Sequence, residues 1–436
     1  MKQFNFFAIK KFRTSKSLGL FLLFTLFSMY ASFGQCPPGN VTLVNQQQVN
    51  NFLATYPNCT TITGNLIIGH NNNTYNSTDI TDLSPLQGIT NVTGIVMVKR
   101  NNGLAQVNLN SLVSVGGLSI DQESALNTIS LQNLTTVGSL GLSFTSNSAS
   151  SLLGLENLTS IAGGLNFNGV SLNTAFPAFE SLTSVGNLTF TNTSKNSVPA
   201  FANLNTVTTN IHFQNNPSLT QIAGFGNLNS LGGFLRIENN TQLHTVSFSG
   251  SNIGAMGGYL QILSNANLAT LNFGNITAVG GYLTIANVAA STILGLNVSS
   301  VGSYVDIKNS STSTIPGLNL NSVGGSVNIS ATGLTSLSVI KNISSIPGNF
   351  TCNNNNFLTT ISEFANLTSI TGNLHIQNNP VLTQISGFSS LNTLGGYLRI
   401  FTNNALNTLS FSGSSIGNLG GELHIQGNGN LSTVHL

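Results

Sequence analysis

The chain has 436 residues, of which 40% are hydrophobic and only 5% are charged, with 45 glycines and no tryptophan. That apolar content supports a large core and excludes disorder of the low-hydrophobicity, high-charge kind. Five of the twelve cations (Lys2, Lys10, Lys11, Arg13 and Lys16) lie in the first 16 residues, so ten acids face seven cations downstream and the net charge there is near −3. A chain so poor in cations has no basic face to neutralise phosphates, which argues against a nucleic-acid partner.

The basic start is followed by an apolar run from Leu18 to Tyr30 and then by small residues at Ala31, Ser32 and Gly34. The pattern reads as a signal peptide over residues 1–34, cleaved after Gly34, and places the mature protein outside the cell, secreted or on the surface. The run is short for a membrane span, and the mature chain holds no second hydrophobic stretch of spanning length. Gln35 precedes Cys36 where a lipidated cysteine needs a small residue, so the exported chain reads as soluble. Export permits disulfides. Cys36 and Cys59 lie 23 positions apart and Cys352 stands alone, which reads as one bridge and one free thiol.

Between those two cysteines, Val49, Phe52, Leu53 and Tyr56 fall at helical spacing before Pro57. Residues 35–61 are therefore expected to form a cap, with a short amphipathic helix covering the open end of whatever follows. From residue 62 to 436 one motif, apolar-x-Gly-x-Leu-x-Ile, recurs. It begins at Ile62, Val92, Ile161, Leu231, Met256, Val279, Val323, Ile346, Ile370, Leu394 and Leu419, with looser copies at Val115, Val137, Val185, Val207 and Val301. The step is about 23 residues, except for a first step lengthened by the polar stretch His70 to Asp79. Val207, Leu231 and Met256 recur 163 residues on as Ile370, Leu394 and Leu419, so a block of seven units has been duplicated.

Within the motif, apolar and variable positions alternate as in a strand with one buried face. Downstream of the strand comes Asn, with Leu three residues later, as in Asn101/Leu104, Asn216/Leu219, Asn240/Leu243, Asn265/Leu268, Asn379/Leu382, Asn403/Leu406 and Asn428/Leu431. An amide recurring once per unit predicts a buried ladder that satisfies backbone groups at a turn. Three short apolar edges per unit, separated by Gly, Asn, Ser and Thr, describe an all-β fold: a parallel β-solenoid of about sixteen coils of 22–25 residues.

The segment Cys36-Pro37-Pro38-Gly39, the helical stretch, and Asn58-Cys59-Thr60-Thr61-Ile62-Thr63-Gly64-Asn65-Leu66 resemble the start of the receptor L domain of insulin and epidermal growth factor receptors. The repeats resemble those of exported receptor-L-like proteins of Bacteroidetes. The resemblance covers residues 36 to 436 and implies a right-handed, leucine-rich-like solenoid that binds ligands through a sheet face and is not an enzyme.

The outward positions of the strand motif form columns along the rod. One column reads Phe234, Tyr259, Tyr282, Tyr304 on consecutive coils, with Tyr397 later; its neighbour reads His212, Arg236, Gln261, Thr284, Asp306, then His375, Arg399, His424. Rigid aromatic area beside cations and amides suits a recognition face for an extracellular glycan or a protein. The candidate ligand-binding residues are Phe234, Tyr259, Tyr282, Tyr304, Arg236, Gln261, Asp306, His212, Tyr397 and Arg399. The competing reading is that like residues on neighbouring coils stack because that stabilises a sheet.

Other chemistry is thinner. His375 and His424 are two coils apart with Arg399 between them, too far for shared zinc, and no cofactor is implied. Glu156 and Glu180 both lie five residues before a strand motif, and such a carboxylate pair is the starting point for a polysaccharide-active β-helix enzyme. Asp79 and Asp82 are too few acids for a calcium site. A Thr column, including Thr135, Thr159, Thr183 and Thr368, raises an ice-binding face as a further alternative. The reading favoured is a non-catalytic recognition or adhesion module.

Overall fold

The computed structural model describes residues 35–70, 77–172, 176, 179–417 and 419–436. The expected leader, residues 1–34, and residues 71–76 of the expected polar loop lie outside the described residues.

Every sheet pairing joins a strand to its counterpart one repeat later, in parallel. The main sheet runs from Val41–Leu43 to Leu423–Gln426 and gives the solenoid about seventeen rungs. Sixteen carry the repeated motif. The additional one is Val41–Leu43, inside the segment read from sequence as cap alone; it pairs with Leu66, Ile67 and Ile68 of the first motif copy. At about 4.8 Å per rung the rod is roughly 80 Å long.

The alternation in the motif becomes a two-faced strand. In Leu235–Glu238, Leu235 and Ile237 are buried while Arg236 and Glu238 point outward and stay partly exposed. A second edge follows the Asn turn, as in Thr245–Ser247 paired with Thr270–Asn272, and a third, often two residues long, precedes the next motif. The interior is filled by apolar side chains in register. Phe144, Phe167, Phe190 and Phe213 stack with ring centroids 5.0–5.3 Å apart, and Phe179, Phe201, Phe225 and Phe248 form a second column at 5.0–5.3 Å. Each ring rests on the rung before and after it, so no rung buries its inner face alone.

The expected amide ladder is present and shows how the turn closes. Asn240 Oδ1 accepts from the backbone N–H and the Nδ2 of Asn216, at 3.1 and 3.0 Å, while its own Nδ2 donates to the Phe213 carbonyl at 3.2 Å. Asn265 receives Asn240 in the same way, and the pattern repeats through Asn355, Asn379, Asn403 and Asn428. The residue before the ladder position adopts a left-handed backbone, with φ of 55° at Asn215, 54° at Asn239 and 54° at Asn378. Asparagine tolerates that conformation better than most residues, which accounts for the Asn-Asn pairs. Between Asn265 and Thr332 the ladder is interrupted by Val288 and Ser310, and the Ser310 hydroxyl is buried without a partner.

At the N-terminal end, helix Gln46–Thr55 buries Val49 and Phe52 against the first rungs. Asn45 caps it by accepting from Gln48 N at 2.9 Å. The Gln46 side chain then ties the helix to the following loop, accepting from Thr81 N and Asp82 N at 2.8 and 2.9 Å. Cys36 and Cys59 are bridged, with Cα atoms 4.5 Å apart. Cys352 is free and buried, and burial pushes its thiol up to about 12, so it is inert at neutral pH. Closing a loop of 23 residues limits the unfolded chain by about 3 kcal/mol. Reduction is therefore expected to strip hydrogen-exchange protection from Val41–Leu43 and the helix while sparing rungs beyond Val92. Unchanged protection of that end after reduction would show that the bridge is not what holds the cap.

Candidate functional site

The outward face of the main sheet carries three side-chain columns, because each motif strand turns every second residue out. The predicted aromatic column is real. Phe234, Tyr259, Tyr282 and Tyr304 stack on four consecutive rungs with centroids 4.6, 4.5 and 4.8 Å apart and ring planes within 6° of parallel. Gly-Gly pairs before Phe234, Tyr259 and Tyr282 allow this approach: a Cβ on Gly258 would sit 2.6 Å from the Gly233 carbonyl carbon. The ring faces inside the stack are covered by one another. What the column offers outward is edges and phenol oxygens, together with the open face of Tyr304, which is 39% exposed and has Ser326 in the next position of its column. Burial among its neighbours pushes the Tyr282 phenol up to about 12, so that ring is uncharged at neutral pH.

The second column is in register as expected. His212 faces Arg236, Arg236 faces Gln261, Gln261 faces Thr284 and Thr284 faces Asp306. Tyr397 and Arg399 are not part of this cluster. They stand on a separate rung, where Arg399 is flanked by His375 and His424 and lies 4.1 Å from the Tyr397 ring centroid. Burial and the neighbouring Arg236 hold His212 below the usual imidazole range, and burial and Arg399 do the same to His375.

Sequence reasoning missed the third column, two residues beyond the second, although the strand period contains it. Glu238 pairs with Arg236, and Lys308 lies 2.6 Å from Asp306, whose other oxygen accepts from Asn328 Nδ2 at 2.7 Å. The face is thus a zipper of neutralised charges beside an aromatic stack.

The alternative sites look different in three dimensions. Glu156 and Glu180 are both exposed, on paired rungs. Thr135, Thr159, Thr183 and Thr368 donate their hydroxyls to carbonyls of the preceding rung at 3.0–3.3 Å, which gives that column a structural role. Asp79 accepts from Gln46 N at the start of the cap helix and Asp82 accepts from Ser84 N and Oγ in a local turn, so both acids already have structural partners. Among the described residues no group of three or more His, Cys, Asp or Glu side chains is placed to hold a metal ion, and no helix is long and apolar enough to cross a membrane.

Residues 58–150 match the family model of the receptor L domain. The match begins at Asn58, one residue before the cap's second cysteine, and runs over the first rungs. No curated protein matches the chain. Among solved structures, the crystal structure of a TLR13–ssRNA13 complex is 12% identical, with 89% of this chain and 76% of that chain covered, at a TM-score of 0.21.

Proposed function

We propose that the protein is an exported, non-catalytic recognition or adhesion module that binds a glycan or protein ligand through the sheet face carrying Phe234, Tyr259, Tyr282 and Tyr304. The observation that carries this reading is the aromatic column itself: four rings in register beside the Arg236, Gln261 and Asp306 column, on a face that no other part of the described chain covers. The receptor L domain match supports it, since that family is a ligand-binding one. A disulfide-pinned cap and a leader-like start support an extracellular location. A solenoid presents such a face as a rigid, flat strip, so binding loses little conformational entropy. The phenol oxygens make the hydrogen bonds, the ring edges give apolar contact, and the open face of Tyr304 is where a sugar ring or an apolar side chain stacks.

The test is the double variant Tyr259→Ala with Tyr282→Ala, screened beside the wild type on a glycan array and against candidate extracellular proteins. Removing two inner rings of an exposed stack leaves the core untouched, so the fold is retained while binding falls at least a hundredfold. Binding by the double variant at wild-type strength would leave the column a purely structural ladder.

A further inference from the structure

The duplication of seven units places one outward arrangement on the rod twice. On the first copy, His212 and Phe234 meet edge to face at 6.1 Å and 77°; on the second, His375 and Tyr397 meet at 6.2 Å and 76°. Asn210 and Asn373 accept from the backbone N–H of Phe234 and Tyr397, each at 3.0 Å. Arg236 and Arg399 stand on the same rungs as those rings, each next to its histidine, and in both the Nε is buried without a partner. Exposed turn residues between these rungs have drifted over the same interval: Ser218 has become Val381, Asn227 has become Ser390 and Gln242 has become Ala405.

We infer that these are two equivalent half-sites, each receiving one acidic group of a linear acidic polysaccharide that runs along the face. The inference rests on the reading of that face as a recognition surface. A guanidinium supplies the charge and a planar fork for a carboxylate, and the adjoining ring and imidazole supply the flat wall. Two sites related by translation, facing the same way, fit a ligand that repeats itself. A polysaccharide does so at every sugar unit, and so presents an acidic group at any span the two half-sites set. The half-sites are seven rungs apart, roughly 34 Å at about 4.8 Å per rung, so a chain shorter than that reaches only one.

The two copies differ in one way that orders their strength. Arg236 is paired with Glu238, which is mostly buried, while Phe401 replaces that acid on the second copy. There, Arg399 has Glu422 at 3.6 Å, and that carboxylate is 76% exposed and free to swing away. The second half-site is therefore the tighter one.

Calorimetric titration of the full chain with a galacturonate trimer, too short to bridge, is expected to show two sites per chain of unequal affinity. Arg399→Ala removes the tighter and Arg236→Ala the weaker. Polygalacturonate binds at least tenfold more tightly than the trimer, loses that gain in either single variant, and fails to bind the double variant. Thermal midpoints check that the variants fold. One site in the wild type, two sites surviving in a single variant, no binding of galacturonate, or poly-glutamate binding equally well would each overturn the inference. The Tyr259/Tyr282 double variant separates it from the broader reading, because that variant retains two trimer sites if the half-sites stand even where the strip contributes nothing.

Discussion

Replacing Asn240 with alanine is expected to lower local stability by about 4 kcal/mol, from two to three buried groups left without partners at roughly 1–3 kcal/mol each. The variant removes the acceptor for the Asn216 N–H and Nδ2 and the donor to the Phe213 carbonyl. All three groups are buried between rungs, where water cannot replace the lost bonds. Because a solenoid is stabilised by nearest-neighbour interfaces, the loss stays close to the substituted rung. Native-state hydrogen exchange is the suitable readout: protection of Ile211–Gln214 and Leu235–Glu238 should fall roughly a thousandfold. Strands before Val185 should be unaffected. The exposed Asn229, replaced in the same way, should change stability by less than about 0.5 kcal/mol. Equal effects at the two positions would mean that the ladder adds nothing beyond ordinary surface asparagine.

Glu123 occupies the ladder position between Asn101 and Asn147 and is fully buried. It accepts from the Asn101 backbone N–H at 2.9 and 3.1 Å and from Asn101 Nδ2 at 2.9 Å, as Asn240 does from Asn216. Burial raises its carboxyl from 4.5 to about 7, with Asp121 adding to the rise and the Asn101 bonds opposing it. Asp121 is itself paired with Lys99 at 3.0 Å, and the neighbouring Arg100 is engaged by Gln122. The folded state holds its proton more tightly than the unfolded chain. Below pH 4.5 both states are neutral and nothing is lost; between pH 4.5 and 7 the unfolded chain ionises first; above pH 7 the fold carries the full cost of a buried carboxylate, about 3 kcal/mol. Stability should therefore decline from pH 5 to pH 8. Glu123→Gln should abolish the decline and raise the thermal midpoint at pH 8, since a glutamine reproduces both the acceptor and the donor of its neighbours' amides. A wild-type pH slope in that variant would place the titrating group elsewhere.

Much of this architecture was legible in the residues. A strand buried on one face must alternate, and a unit that cannot fold alone must repeat. The motif spacing therefore determined the parallel solenoid, its rung length, the amide ladder and the registers of His212, Arg236, Gln261 and Asp306. The helix in the cap was legible from Val49 and Phe52, and the slot of Glu123 was open to the same reasoning, because Leu126 follows it by three. Val41–Leu43 was not: three residues without the motif carry no period, and only pairing with Leu66–Ile68 makes them a rung.

The sequence by itself thus determined which side chains share a column, since register in a solenoid follows from repeat length alone. Only the tertiary structure decided what a column does. Rungs near 4.8 Å apart pack aromatic rings face to face, so Tyr259 and Tyr282 spend their faces on each other and show their edges. The same spacing ties the Thr135 and Thr159 hydroxyls to the backbone of the previous rung. Along one strand Glu238, two residues on, neutralises Arg236, whereas Arg399 has Phe401 in that place and is paired only with the exposed Glu422 of the next rung at 3.6 Å.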